Sequence, residues 1–97
     1  MANSDMNAFT YIVTAATTVV RTGAGILHAI TCNKAIAAGT ITIYDGLTAA
    51  GTKIGIVTHP ATLLQNHYTL IYDVAFTTGL TIVTAEANDI TVSWRPL

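Results

Sequence analysis

Three histidines are the side chains of this chain best suited to bind a metal ion or to transfer a proton. His28 lies within an apolar run, His59 precedes Pro60, and His67 follows a polar stretch. Zinc sites usually take pairs of ligands separated by about two to five residues, and no two of these histidines are that close. The spacing therefore predicts no metal site, and we interpret His28 as a core or interface histidine.

Two aspartates, Asp45 and Asp73, each follow a tyrosine. Paired carboxylates perform acid–base chemistry when a fold brings them together. The simpler interpretation makes Asp45 a turn former before Gly46 and Asp73 an outward-facing strand residue. The enzyme hypothesis is kept only for a fold in which Asp45, Asp73 or Glu86 approaches a histidine.

The remaining reactive residue types lack the context that catalysis requires. Cys32 is the only cysteine and lies in an apolar run, where a thiol is usually unreactive. The Gly-Ala-Gly sequence at 23–25 begins like a phosphate-binding loop, but it has no third glycine and no following helix. Ser4 and Ser93 are the only serines, and neither occurs in the Gly-x-Ser-x-Gly motif of hydrolases. The sequence therefore predicts a protein without enzymatic activity, cofactor or metal.

Aromatic side chains provide a surface for sugars or proteins, because their rings are apolar and tyrosine adds a polar tip. The alternating patterns described below place Tyr72 and Trp94 in the core. Four other aromatic residues are the candidate interface residues: Phe9, Tyr11, Tyr44 and Tyr68.

Short alternating runs separated by turn residues position these side chains. The clearest lie in the stretch 40–57, where Ile41 and Ile43 alternate with polar residues, a Gly-rich loop follows, and Ile54 and Ile56 alternate again. This pattern is typical of a β-hairpin.

The same pattern recurs along the chain. Further strands are predicted at 9–14, 17–22, 26–32, 68–76, 80–84 and 89–94, and the turns at 77–79 and 85–88 are predicted to close two further hairpins. Seven to eight short strands without a usable helix predict an all-β protein, an antiparallel β-sandwich or jelly-roll-like barrel.

Alternation also predicts the face that each side chain takes. In the third predicted strand it places His28 on the same face as Ile30 and Cys32, with apolar residues on both faces. Near the C-terminus it directs Phe76 and Trp94 into the core.

Composition limits the classes of partner. The chain has 97 residues, of which 52% are hydrophobic and only 9% are charged, against about 25% charged in typical soluble domains. A net charge of −1 with scattered Lys and Arg argues against nucleic acid, and no apolar run approaches the ~20 residues of a membrane span. Such a surface predicts association with copies of itself or with other proteins.

The chain is predicted to have one domain with a short extension. Residues 1–8 are small and polar and are predicted to form a flexible N-terminal arm, and residues 9–97 are predicted to form a single β-sandwich domain. The first residues lack the basic and apolar blocks of a secretory signal, so synthesis in the cytoplasm is expected.

Between Gly25 and Pro96, the segments GILHAI, GTITIYDGLTAAGTKIG and YDVAFTTGLTIVTAEANDITVSWRP resemble small all-β virion proteins of tailed bacteriophages, in particular capsid decoration (cement) proteins. The resemblance implies a homo-oligomer, often a trimer, that binds the major capsid protein or other virion proteins at the capsid surface. It implies no catalytic residue. The alternative is a receptor- or glycan-binding β module of a phage tail or fibre, which needs a solvent-facing aromatic cluster beside Asp or Asn side chains.

Overall fold

Eight β-strands are present in the described part of the chain. The structure is a computed structural model that describes residues 7–59 and 67–97. The strands are β1 Ala8–Ile12, β2 Ala16–Thr22, β3 Gly25–Lys34, β4 Gly39–Asp45, β5 Thr52–His59, β6 Tyr68–Phe76, β7 Gly79–Thr84 and β8 Asp89–Pro96. In these two ranges there is no helix long and apolar enough to cross a membrane. The all-β prediction is confirmed.

Most of the predicted N-terminal arm lies outside the described residues, which begin at Asn7. Ala8, the last residue of that predicted arm, already belongs to β1 and pairs with Trp94 of β8.

The strands form two four-stranded antiparallel sheets. The first sheet has the order β1-β8-β3-β6 and the second has the order β2-β7-β4-β5. This order arises because the first half of the chain pairs with the second half in reverse, as β1–β8, β2–β7, β3–β6 and β4–β5. The result is a jelly-roll sandwich. The predicted sandwich is confirmed, and the two sheets do not close into a barrel.

Among the described strands, consecutive ones pair with each other only in the hairpin of β4 and β5. This confirms the hairpin predicted for the stretch 40–57. The turns at 77–79 and 85–88 instead carry the chain from one sheet to the other, so the hairpins predicted there are wrong. Turn residues mark a reversal of chain direction, but they do not determine which strand the next segment pairs with.

The core fills the space between the inner faces of the two sheets. Its buried members come from six of the strands: Ile12, Leu27, Ile30, Cys32, Ile41, Ile43, Phe76, Leu80, Ile82, Ile90 and Val92. The ring of Phe76 lies against Gly25, where a Cβ would come within 2.5 Å of the ring carbon Cζ. The absence of a side chain at Gly25 therefore makes room for the largest fully buried side chain.

A β-bulge interrupts β3 at His28. Leu27 pairs with Trp94 of β8 and Ala29 pairs with Ser93, so two consecutive β8 residues flank an unpaired His28. An inserted residue of this kind shifts the alternation of side chains by one position.

The bulge overturns the predicted faces of β3. Ile30 and Cys32 are buried in the core, whereas the side chain of His28 is 38% exposed and contacts the exposed Asp73. The prediction that His28 shares a face with Ile30 and Cys32 is wrong, because a period of two holds only in a strand without an insertion.

The face predictions for the later strands fare better. Side chains of β6 alternate as predicted, with Phe76 buried and Asp73 exposed. Trp94 packs against the core cluster but is only partly buried. Its indole N–H donates to Thr10 Oγ1 at 3.4 Å, and the guanidinium carbon of Arg21 lies 5.8 Å from its ring centroid.

These positions predict unequal effects of removing the two rings. Phe76→Ala should lower the free energy of unfolding by about 3–5 kcal/mol, the usual cost of deleting a buried aromatic ring. Trp94→Ala should cost about 1–3 kcal/mol, because part of the indole surface already contacts solvent. Urea unfolding followed by circular dichroism measures both. A loss for Trp94→Ala equal to that for Phe76→Ala would contradict the partial burial of the indole.

Candidate functional site

The outer face of the first sheet carries a polar network across three strands. Tyr11 on β1 donates its hydroxyl to Asp89 Oδ2 at 2.7 Å. Asn33 on β3 donates from Nδ2 to Asp89 Oδ1 and to Thr91 Oγ1, both at 3.0 Å. The hydrogen bond to the Asp89 carboxylate raises the pKa of the Tyr11 phenol, since a phenolate could not donate it. The Tyr11 hydroxyl therefore stays protonated, and its hydrogen bond to Asp89 positions the ring on the outer face of the first sheet.

A second polar pair lies on the same face, at the β3 bulge. His28 Nδ1 is 2.6 Å from Asp73 Oδ1, and the two side chains are 38% and 60% exposed. Asp73 has a φ of 50°, the one positive φ of a non-glycine residue in the described part of the chain. The geometry follows from register, because Leu27 pairs with Val74 and Ala29 pairs with Ile71, which leaves His28 opposite two residues of β6.

His28 and Asp73 form one wall of an open cleft of about 390 Å³ that is also lined by Asn7, Ile26 and Arg95. Ile26 and Arg95 are register partners on β3 and β8. Asn7 immediately precedes β1. The cleft therefore combines a guanidinium, an amide, an imidazole and a carboxylate from four neighbouring strands of one sheet or their ends.

The condition set for the enzyme hypothesis is met in part, because Asp73 does approach a histidine. Within 7–59 and 67–97, no serine or cysteine side chain is hydrogen-bonded to the His28–Asp73 pair, and no group of three His, Cys, Asp or Glu side chains could hold a metal ion. In this part of the chain the pair thus has acid and base groups without a serine or cysteine nucleophile hydrogen-bonded to them.

A second cleft, of about 420 Å³, lies between β3 and the start of β6, and Cys32 and Tyr68 contribute to its lining. Burial raises the pKa of the Tyr68 hydroxyl to about 12. Burial also raises the pKa of the Cys32 thiol, against weaker effects of hydrogen bonds with Lys34 and Tyr68. The thiol therefore stays protonated near neutral pH, in agreement with its interpretation as an unreactive cysteine.

The four candidate interface residues do not lie together. Phe9 and Tyr11 are 73% and 55% exposed on the outer face of the first sheet. Tyr44 follows the buried Ile43 and therefore lies on the outer face of the second sheet, where it is partly buried. Tyr68 packs against the core from the inner side of β6.

The outer face of the second sheet differs from that of the first in having almost no charge. Val19 and Ile56 on this face are 47% and 51% exposed. Arg21 and Asp45 both pair with the core residue Leu80, which places them on the inner side. Among the described strand residues, the outer face carries one charged side chain, Lys53. The other outward residues are mostly threonines and aliphatics: Thr17, Thr42, Thr58 and Val83.

Sequence reasoning found individual members of these sites but not their groupings. The pairing of His28 with Asp73 links residues separated by 45 positions, and Asn7 and Arg95 were assigned no role. The sequence signal that points to this pair is a histidine and an aspartate within otherwise apolar strand patterns.

Comparisons with models of protein families, with curated proteins and with solved structures find no match to this chain. The virion resemblance therefore stays a prediction.

Asp45 has a structural role that the sequence did not reveal. Its carboxylate accepts hydrogen bonds from the backbone amides of Thr77 and Thr78, both at 2.9 Å, in the turn between β6 and β7. Asp45 was predicted to stabilise its own turn before Gly46. The carboxylate instead stabilises a turn more than 30 residues away in the chain.

These contacts predict a pH-dependent stability. Burial alone would raise the pKa of Asp45, but hydrogen bonds from the amides of Thr78, Thr77 and Gly79 outweigh it and lower the pKa. A carboxylate with a lowered folded pKa stabilises the fold above its unfolded pKa of about 3.9, and this contribution is lost as pH falls through the folded value. Asp45→Asn should therefore cost about 1–2 kcal/mol at pH 7, and the cost should shrink below about pH 4.

Urea unfolding from pH 7 to pH 3 measures this dependence. Glu86→Gln is the matched control, since Glu86 is an exposed carboxylate in the β7–β8 turn. If Asp45→Asn and the wild type differ by the same amount at every pH, the carboxylate charge does not stabilise the turn.

Proposed function

We propose that this protein is a non-enzymatic structural protein of a bacteriophage virion, a capsid decoration or cement protein. It binds the capsid surface as a symmetric homo-oligomer, a trimer, and stabilises the shell. The supporting observation is the outer face of the second sheet, which is apolar, threonine-rich and nearly free of charge.

This face is suited to permanent burial against protein. Val19 and Ile56 expose about half of their surface, and their removal from water contributes about 25 cal/mol per Å² of apolar area. Threonine hydroxyls on the same face can hydrogen-bond across an interface without bringing a charge that must be desolvated. Because Lys53 is the one charged side chain described there, little like-charge repulsion opposes the approach of another copy or of the shell.

Fold and resemblance support the same proposal. Double-sheet jelly rolls occur among viral capsid proteins, although fold alone is only an analogy for function. The segments from Gly25 to Pro96 resemble phage decoration proteins, and a closed symmetric oligomer covers apolar surface without leading to open-ended assembly.

A second candidate function is that of a receptor- or glycan-binding module of a phage tail or fibre. The outer face of the first sheet favours it, because the exposed rings of Phe9 and Tyr11 lie beside polar groups. Asp89 contacts Tyr11 directly, and Asn33 contacts Asp89. This is the arrangement of aromatic and amide or carboxylate groups that the alternative requires.

The two sheets offer a matched pair of variants for testing the proposal. Ile56 on β5 and Ile71 on β6 are exposed to similar degrees, 51% and 60%, on opposite outer faces. Ile56→Lys should weaken oligomer formation or capsid binding by roughly tenfold or more, because a charge would be buried in the interface. Ile71→Lys should leave both nearly unchanged.

Light scattering of the isolated protein and co-sedimentation with undecorated capsids are the measurements. The wild type should have the mass of a trimer at micromolar concentration and should sediment with the capsids. A monomeric wild type that stays in the supernatant would overturn the proposal. Loss of binding in Ile71→Lys alone would move the binding face to the first sheet.

A further inference from the structure

We propose that the cleft lined by Asn7, Ile26, His28, Asp73 and Arg95 is a binding site for an acidic saccharide, a sugar ring that carries a carboxylate. This acidic-sugar cleft lies on the outer face of the first sheet, on the opposite side of the sandwich from the proposed assembly face. The inference names the ligand class for the second candidate function, glycan binding by this face, and it does not depend on the capsid role.

Two backbone irregularities meet at this cleft. The bulge in β3 leaves His28 without a partner on β8, and Asp73 on β6 adopts a left-handed conformation. Such a conformation costs about 1–3 kcal/mol in a non-glycine residue and is found preferentially at binding sites. The hydrogen bond that results, between His28 Nδ1 and Asp73 Oδ1, is exposed to solvent. The bulge and the conformation of Asp73 together bring the two side chains to one wall of the cleft.

The polar groups lie at two ends of the cleft. Arg95 provides a planar set of donors that matches a carboxylate, and its guanidinium has no hydrogen bond or ion pair with another described residue. Asn7 continues the β1–β8 register to the position opposite Arg95 and adds an amide. This end of the cleft is suited to bind a carboxylate.

Asp73 and His28 form the other end. The carboxylate accepts the Nδ1–H of His28 through Oδ1, which leaves Oδ2 free of donors among the described residues. In a neutral imidazole whose Nδ1 carries the proton, Nε2 is an acceptor. Two acceptors side by side match sugar hydroxyls, which are donors. A dianion such as phosphate would meet stronger repulsion from Asp73 than a carboxylate would, and the hydroxyl groups of a sugar carboxylate can donate to the acceptors at the other end.

The apolar surroundings favour a sugar over a simple organic acid. Ile26 lines the cleft between the two ends. Phe9 follows Asn7 on the same face of β1 and exposes 73% of its surface, so its ring can cover the apolar face of a pyranose. A volume of about 390 Å³ lies at the lower end of the range of small-molecule sites.

Titration of the full chain with methyl glucuronide and with methyl glucoside, followed by amide chemical shifts in NMR, tests the proposal. The glucuronide should shift the amides of the cleft residues and bind roughly tenfold more tightly than the neutral glucoside, the gain expected from one charge-assisted pair. Arg95→Gln should abolish this preference, and Asp73→Asn should weaken binding of both sugars. Lys53→Gln, which removes a charge from the opposite face, should change neither.

Several outcomes would overturn the inference. Equal affinity for the two sugars would remove the role of Arg95, and shifts confined to other residues would place the site elsewhere. Acetate or a peptide C-terminus that binds as tightly as the glucuronide would show a site for carboxylates in general. An Asn7→Ala variant with an unchanged glucuronide affinity would also count against the cleft. The measurement needs no capsids, so its failure leaves the co-sedimentation result intact.

Discussion

The register of β3 between β8 and β6 determines both faces of the first sheet. Leu27 and Ile30 are three residues apart and both lie in the core, although residues at odd separations in a regular strand point to opposite faces. Burying each of these side chains contributes about 1.5–3 kcal/mol. One inserted residue between them resolves the conflict, and that residue is His28. The bulge that the core requires is therefore also what directs an imidazole toward solvent beside Asp73.

The two outer faces are suited to different partners, although they belong to one small sandwich. On the first sheet, hydrogen bonds among Tyr11, Asp89 and Asn33 cross the strands, and charged groups line an open cleft. On the second sheet, the outer face carries mostly threonine and aliphatic side chains, with Lys53 as the one charged side chain among the described strand residues. Polar groups with free donors and acceptors suit a hydrated ligand, whereas an uncharged surface suits permanent contact with protein. This division allows one chain to assemble through one face and to recognise a ligand through the other.

The turns that join the two sheets also help to hold them together. Asp45, at the end of β4, binds the amides of the β6–β7 turn, so the second sheet stabilises the point where the chain leaves the first. Gly25 and Gly55 admit the rings of Phe76 and Tyr72, whose atoms a Cβ at either position would approach closely. Polar contacts at the turns and the contact of Tyr72 in the first sheet with Gly55 in the second hold the two sheets in one relative position.

The sequence by itself determined the class of fold and most of the core. The alternation at Ile41 and Ile43, the burial of Phe76 and the places where strands begin and end depend on residue type and on a period of two, both of which are local. Tertiary structure decided which strands pair, where Asp45 binds and which face His28 takes. Each of these depends on register between segments far apart in the chain, and an insertion that shifts the register leaves no mark on the local pattern. The candidate sites belong to this second group, because their groups come from different strands and meet only when the sheets form.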